Sequence, residues 1–312
     1  MELQEALDKF MRKKRIERIA PESLKNYEYN LSTFKNFYSG DINELTEDDV
    51  DDYILYLQEE TDLELTTINN KIRDLRAFLN YCHKQKFIAE KIEVKLLRVN
   101  DPEIIPFEEY QLRNLYDACL KVDNGKINYL GKGMCHRRDY TLMRMLEETG
   151  MRIGETTRLN INDVDLRRNT IQVRRTKNGE SRQTYITTAL HKEIQLYLEV
   201  RQDFLFDKNL AATSFFINRD GGRLSVKTIQ EKIADYGKLA GITEVRCSPH
   251  TFRHTFAKNF LINGGDIFTL KDILGHKTLE MTYRYARLFG TEQQNQYTKV
   301  MERYTRSKKS MC

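Results

Sequence analysis

A side chain that attacks an anionic group needs positive charge and a proton donor beside it. The stretch GHKTLEMTYRYARL, residues 275–288, sets two tyrosines two positions apart, just after a Gly-His pair. Tyr283 and Tyr285 lie roughly 200° apart around a helix, so both cannot face one ligand. Upstream, SPHTFRHTF places His250 and Arg253 three apart, on one helical face. A guanidinium offers two fixed donors and an imidazole one donor plus proton-transfer capacity, which together suit a phosphate. His254 falls on a different face, where it packs or caps. TGMRIGE sets Arg152 between Gly150 and Gly154, and a helix C-cap at Gly150 would hold the arginine in a defined position. Lys177 stands beside Asn178-Gly179. Each residue has a plain alternative: a surface arginine, a solubilising lysine, a packed tyrosine. HxxRH is not a metal-ligand spacing, and no acidic cluster accompanies it.

The elements that must position these residues are mostly helical. Residues 1 to about 90 read as four helices and no strands. The first lies near 2–14 and ends in the basic run Arg12-Lys13-Lys14-Arg15. Ser23 to Tyr38 repeats Leu24, Tyr27, Leu31, Phe34 and Phe37 at helical spacing. Thr46 is an N-cap candidate with Asp49 three positions on. Thr66 begins a further helix with Ile68, Ile72, Leu75, Phe78, Leu79 and Cys82 inward and Lys71, Arg73, Arg76 and Lys84 outward. The basic positions either grip phosphates or form a solvated face.

Residues 91–105 lack a clear period and contain Asp101-Pro102, so they read as a linker between a domain at 1–90 and one at 106–312. The second begins with a helix near Pro106. Residues 122–136 read as an enlarged loop, followed by a helix over 138–149. TIQVRRT-KNGE-SRQTYITT alternates on both sides of its Asn-Gly pair, a β-hairpin with Lys177 at its tip. Helices follow near 188–202, 225–240, 251–263, 266–273 and 278–288. The fold class is mainly α: a helical first domain, then an α+β domain with a small antiparallel sheet.

Charge is uneven. Residues 1–100 carry 16 Lys and Arg against 20 Asp and Glu, leaving 35 against 26 for the remainder. A basic second part suits a polyanion, and ordinary surface lysines would give the same excess. The five cysteines are scattered without a CxxC pair and read as reduced thiols. No apolar run approaches the roughly 20 residues of a membrane span. The amphipathic start has no apolar signal core, so a cytoplasmic protein is expected.

Taken in order, Arg152, Lys177, His250-x-x-Arg253, His276 and a tyrosine nine residues later resemble the tyrosine recombinase, or phage integrase, family. TGMRIGE, TKNGE, SPHTFRHTFA and LGHKTLEMTYRYA are each similar to a family motif, and the first domain resembles the SAM-like core-binding domain of Xer-type and mobile-element integrases. The family's nucleophile stands nine residues after the Gly-His histidine. The resemblance therefore selects Tyr285 and leaves Tyr283 to pack.

The resemblance further implies a DNA-cutting and -rejoining site-specific recombinase whose two domains clamp a duplex. Arg152, Arg253 and His276 would stabilise the charged transition state, His250 would accept the tyrosine proton, and Lys177 would protonate the leaving 5′ oxygen. Glu155 would buttress the region. The product would be a 3′-phosphotyrosyl link, with no cofactor and no metal. The partners implied are double-stranded DNA and a homotetramer on two DNA sites, monomeric or dimeric off DNA, with no membrane. The C-terminal tail, with Tyr297, Val300, Met301 and Tyr304 in a candidate helix, would dock on a neighbour or on its own domain. Two rivals are a DNA-binding repressor on the same fold and a topoisomerase-like nicking-resealing enzyme.

Overall fold

The computed structural model describes residues 1–99, 103–120, 132–174, 181–289, 297–298 and 301–302. Lys177, most of the candidate tail helix and most of the enlarged loop lie outside the described residues. The chain divides into two compact units, Met1–Pro102 and Glu103–Cys312.

The first unit consists of α1 (Leu3–Ile16), α2 (Pro21–Phe37), α3 (Glu47–Glu59) and α4 (Leu65–Lys84). The apolar periodicity meets in one core, in which Phe10, Phe34, Tyr53, Leu57, Ile72 and Phe78 are at most 1% exposed. Thr46 caps α3 as its sequence predicts. Its hydroxyl accepts the Asp49 N–H at 3.2 Å, and the Asp49 carboxylate accepts the Thr46 N–H at 2.8 Å. Helix α4 starts earlier than expected, with Glu64 at its N-cap and Thr66 inside.

Two expectations change in this unit. Lys71, assigned to the outer face of α4, is 3% exposed: its Nζ donates to Thr33 Oγ1 at 2.8 Å and lies 4.6 Å from the Tyr29 ring centre. The reason is that α2 packs on α4 and covers that position. Ile92 and Val94, assigned to the linker, are buried in the same core. Asn69 then holds Leu97 through both its N–H and its carbonyl, at 2.8 and 2.9 Å.

The second unit holds α5 (Glu109–Leu120), α6 (Lys132–Thr149), the single turn α7 (Ile153–Thr156), a three-stranded sheet and α8 (Thr188–Asp207). It continues through α9 (Val226–Leu239), α10 (Pro249–Ile262), α11 (Ile267–Leu274) and α12 (Leu279–Phe289). Helix α6 absorbs residues 132–136 of the expected loop. The sheet runs β1 (Val164–Asp165), β2 (Thr170–Val173), β3 (Arg182–Tyr185), all antiparallel. Strands β2 and β3 are the predicted hairpin, with Val173 opposite Arg182.

Helix α6 is central, with α8 and α10 packed on it. Leu142, Met145, Leu146, Ile194, Tyr197 and Phe252 are fully buried there. Burying a side chain of this size stabilises the fold by roughly 1.5–3 kcal/mol. A smaller cluster of Ala257, Leu261, Leu270, Leu274 and Tyr285 binds α10, α11 and α12 together. Among the described residues, no helix is long and apolar enough to cross a membrane.

Candidate active site

The site is organised around the C-terminal end of α11. Asp266 caps the start of that helix and Gly275 ends it in the left-handed region, at φ 64°. A helix C-terminus leaves carbonyls without intrahelical partners and carries the negative end of the helix dipole. Three guanidiniums meet it. Arg253 donates to Leu274 O at 2.8 Å and to Gly150 O at 2.6 Å. Arg182 Nε donates to Ile273 O at 2.8 Å. Arg152 reaches the Leu274 and Gly275 carbonyls, each at 3.4 Å.

Local sequence explains how each arginine arrives. Ser248 caps α10, its hydroxyl accepting the Thr251 N–H at 3.3 Å, and Pro249 occupies the first turn. His250 therefore stands in the opening turn of that helix and Arg253 just beyond it. Gly150 ends α6 at φ 61°, where a Cβ would come within 2.4 Å of Phe256, so only glycine turns the chain toward Arg152 there.

Arg152 lies at the start of α7, and its backbone N–H donates to Glu155 Oε2 at 2.9 Å. Glu155 is 6% exposed and receives two bonds from Arg182, at 3.0 and 2.7 Å, and one from Arg152 at 3.1 Å. One buried carboxylate thus separates two of the three cations. Arg182 is a site residue that belongs to none of the family motifs above. The signal available was strand alternation, which puts Arg182 on the same face as the buried Thr184 and Ile186.

The turn after Gly275 delivers His276, which is 8% exposed, with Nδ1 2.8 Å from Thr282 Oγ1. Burial, then Arg253, Arg152 and Arg182, pushes its pKa down to about 3, so the ring is neutral near pH 7. Its plane is stacked 7° from that of Tyr285, with centres 6.3 Å apart.

The two tyrosines face opposite ways, but their surroundings reverse the expectation. Tyr285 is the packed one, 5% exposed within the α10–α11–α12 cluster, while Tyr283 is 53% exposed beneath Arg287. Helix α12 docks through the Tyr285 face, and a spacing rule cannot say which face docks. Burial raises the Tyr285 phenol above its ordinary value, against the opposing pull of Arg253, Arg284 and Arg152.

The hydroxyl of Tyr285 lies 2.9 Å from Nδ1 of His254, a residue expected to pack or cap elsewhere. Four residues make 400°, so His254 sits only about 40° around from His250, one turn along. That i,i+4 spacing is the signal in the sequence that places His254 near the site. His250 itself is exposed, its pKa lowered by partial desolvation of the ring among its neighbours, then by Arg253, Arg152 and Arg246. His250 and His254 both line an open cavity of about 700 Å³, with Arg246, Lys238 and Gln230 on its wall.

The structure thus brings Arg152, Arg253, His276 and Tyr285 together and places His250 at the adjoining cavity. Among the described residues, no group of three or more His, Cys, Asp or Glu side chains is arranged to hold a metal ion.

Comparison with known proteins gives matches over both units. The pattern described as "Phage integrase family" matches residues 107–292, and "Phage integrase, N-terminal SAM-like domain" matches residues 6–88. The tyrosine recombinase XerC of Oceanobacillus iheyensis is 30% identical over 296 residues, covering 90% of this chain and 91% of that protein. The tyrosine recombinase XerA of Saccharolobus solfataricus is 27% identical over 292 residues, covering 89% of this chain and 87% of the other. Among solved structures, the Tn1549 transposon integrase in complex with transposon right end DNA shares the fold, with a TM-score of 0.74 at 19% identity over 97% of this chain and 99% of that one.

Proposed function

This chain belongs to the phage integrase family of site-specific tyrosine recombinases, and from that premise we propose that it cuts and rejoins double-stranded DNA through a 3′-phosphotyrosine on Tyr285. The observation that carries the proposal is the convergence of Arg152, Arg253 and His276 beside the one buried tyrosine of α12.

A phosphodiester is anionic and repels nucleophiles. Two guanidiniums on its non-bridging oxygens neutralise it and stabilise the charge-rich transition state, where a lost donor of this kind costs about 2.7–4 kcal/mol. Arg152 and Arg253 take this part. Their bonds to α11 carbonyls fix their planes before DNA arrives, so little reorganisation is needed on binding. His276 supplies a third donor in the tautomer whose Nδ1 accepts from the Thr282 hydroxyl, since that neutral ring carries its proton on Nε2. His250, expected from the resemblance to accept the tyrosine proton, is exposed on the cavity side, where it adds a donor instead.

Tyr285 Oη attacks phosphorus in line as the bond to O5′ breaks. Lys177 gives the leaving oxygen its proton, an assignment that rests on the resemblance of the TKNGE stretch. The phosphotyrosyl ester stores the bond energy, and a 5′ hydroxyl of a second strand resolves it. Phosphate contacts account for most of the DNA affinity.

The test starts from the cell. Sequencing DNA that stays on the protein after denaturation identifies the site, which is then built as a nicked suicide duplex. Tyr285→Phe is expected to abolish the covalent adduct on a denaturing gel, and Tyr283→Phe to keep it. Adduct from Tyr285→Phe but none from Tyr283→Phe reverses the assignment. No adduct from the unaltered protein on a site it verifiably binds overturns the cleavage reaction and leaves a DNA-binding repressor.

A further inference from the structure

We infer that His254 accepts the phenolic proton of Tyr285 as the tyrosine attacks, making it a catalytic residue alongside those the sequence singled out; this rests on the cleavage reaction proposed above. The geometry points to it directly. Its Nδ1 stands 2.9 Å from Tyr285 Oη, within the range for a base that takes a proton. The ring centres are 5.7 Å apart with planes tilted by 50°, an edge approach that lets a ring nitrogen meet the hydroxyl.

The other two histidines are placed differently. His276 lies parallel to the Tyr285 ring, and its Nδ1 is engaged by Thr282. His250 is exposed one turn earlier on α10. An acceptor must also be unprotonated at rest. Burial, then His250, Arg253 and Arg284, pushes the His254 pKa down to about 4, so its ring is neutral at pH 7.

The charged and titratable groups around His254 come from several directions. His250 and Arg253 lie on its own helix, and Arg284 and Tyr285 on α12. Glu103, Lys238 and Arg246 line the cavity it faces. A ring this acidic and a phenol this weak exchange no proton at rest. An incoming phosphodiester changes that: its negative charge offsets Arg253 and Arg284 and restores basicity to His254 as attack begins.

In the step itself, the Oη–P bond forms while the Oη–H proton passes to His254 Nδ1. The P–O5′ bond breaks with its electron pair on O5′, which takes a proton from Lys177. In rejoining, the 5′ hydroxyl gives its proton back to the neutral amine of Lys177 as its oxygen attacks phosphorus, the Oη–P bond breaks, and the imidazolium of His254 returns its proton to the departing phenolate.

The experiment measures single-turnover adduct formation by the full-length protein on the nicked suicide duplex from pH 6 to 9. His254→Asn keeps a hydrogen-bonding atom near the Nδ1 position but has no basicity. Binding to the intact duplex is followed in parallel, and His254→Gln replaces the Asn variant should that one fail to fold. Cleavage is expected to fall by about 10²–10⁴-fold at pH 7, the usual worth of a general base, with binding retained. The ratio of wild-type to variant rate is expected to shrink about tenfold per pH unit, because hydroxide then removes the proton in the variant.

A variant as fast as wild type, or one slowed equally at every pH, overturns the assignment and leaves a packing role. Wild-type protein giving no adduct means instead that the cleavage reaction itself has failed. The two failures are therefore distinguishable.

Discussion

Glu155 shows how much of this site depends on one buried charge. Burial alone raises a carboxylate's pKa, but the hydrogen bonds and charge of Arg182, with the N–H and charge of Arg152, hold Glu155 below its ordinary value. A group with a depressed folded pKa contributes stability above its unfolded pKa, about 4.3 for Glu, and loses it as pH falls through the folded value. Removing one partner of a buried pair leaves the other charge uncompensated. Glu155→Gln is therefore expected to destabilise the second unit by about 3–5 kcal/mol at pH 7. The gap between wild type and variant should narrow as pH falls below about 4, where the wild-type carboxylate also loses its charge. Urea unfolding at pH 7 and near pH 3.5 measures this, and a pH-independent gap would mean that shape, not charge, matters at that position.

At the scale of elements, α11 works through its end more than its faces. Its last carbonyls hold three arginines, and Gly275 turns the chain so that His276 enters the site. A side chain at Gly275 meets two obstacles: the left-handed backbone costs about 1–2 kcal/mol, and a Cβ would lie 3.1–3.3 Å from the Arg182 side chain. Gly241 has a similar φ of 69° with nothing within 4 Å, so it carries only the first. Gly275→Ala is expected to lose more stability than Gly241→Ala and to lose adduct formation as well, since Arg182 and His276 shift together. Equal stability losses with normal adduct formation from both would show that the crowding at Gly275 is absorbed without consequence.

At the scale of the whole molecule, the two units have separate cores and different charge balances, with the excess of Lys and Arg lying after residue 100. The proposed chemistry also sets a stoichiometry. Exchange between two duplexes breaks four strands, and each chain brings one Tyr285. Four chains on two DNA sites would serve that exchange, as the family resemblance implies. Light scattering of the Tyr285→Phe protein, with and without duplexes carrying the site, is expected to give four chains per two duplexes. A saturated complex of two chains on two duplexes would contradict this.

Much of this protein is legible in its sequence, because what is local in structure is local in sequence. The apolar faces of α2, α3 and α4, the Thr46 cap, the β2–β3 hairpin and the glycine turns at 150 and 275 each depend on residues a few positions apart. The order of Arg152, Lys177, His250, Arg253, His276 and Tyr285 is likewise read directly along the chain. Tertiary structure decided what depends on distant packing. It buried Tyr285 and exposed Tyr283, because α12 docks by one face against α10 and α11. It covered Lys71 with α2 and drew Ile92 and Val94 back into the first core. It set Arg253 on the carbonyls of Gly150 and Leu274, 103 and 21 residues away, and joined His254 to a hydroxyl 31 residues further on. Spacing records which residues share a turn of helix; only the folded chain determines which turns meet.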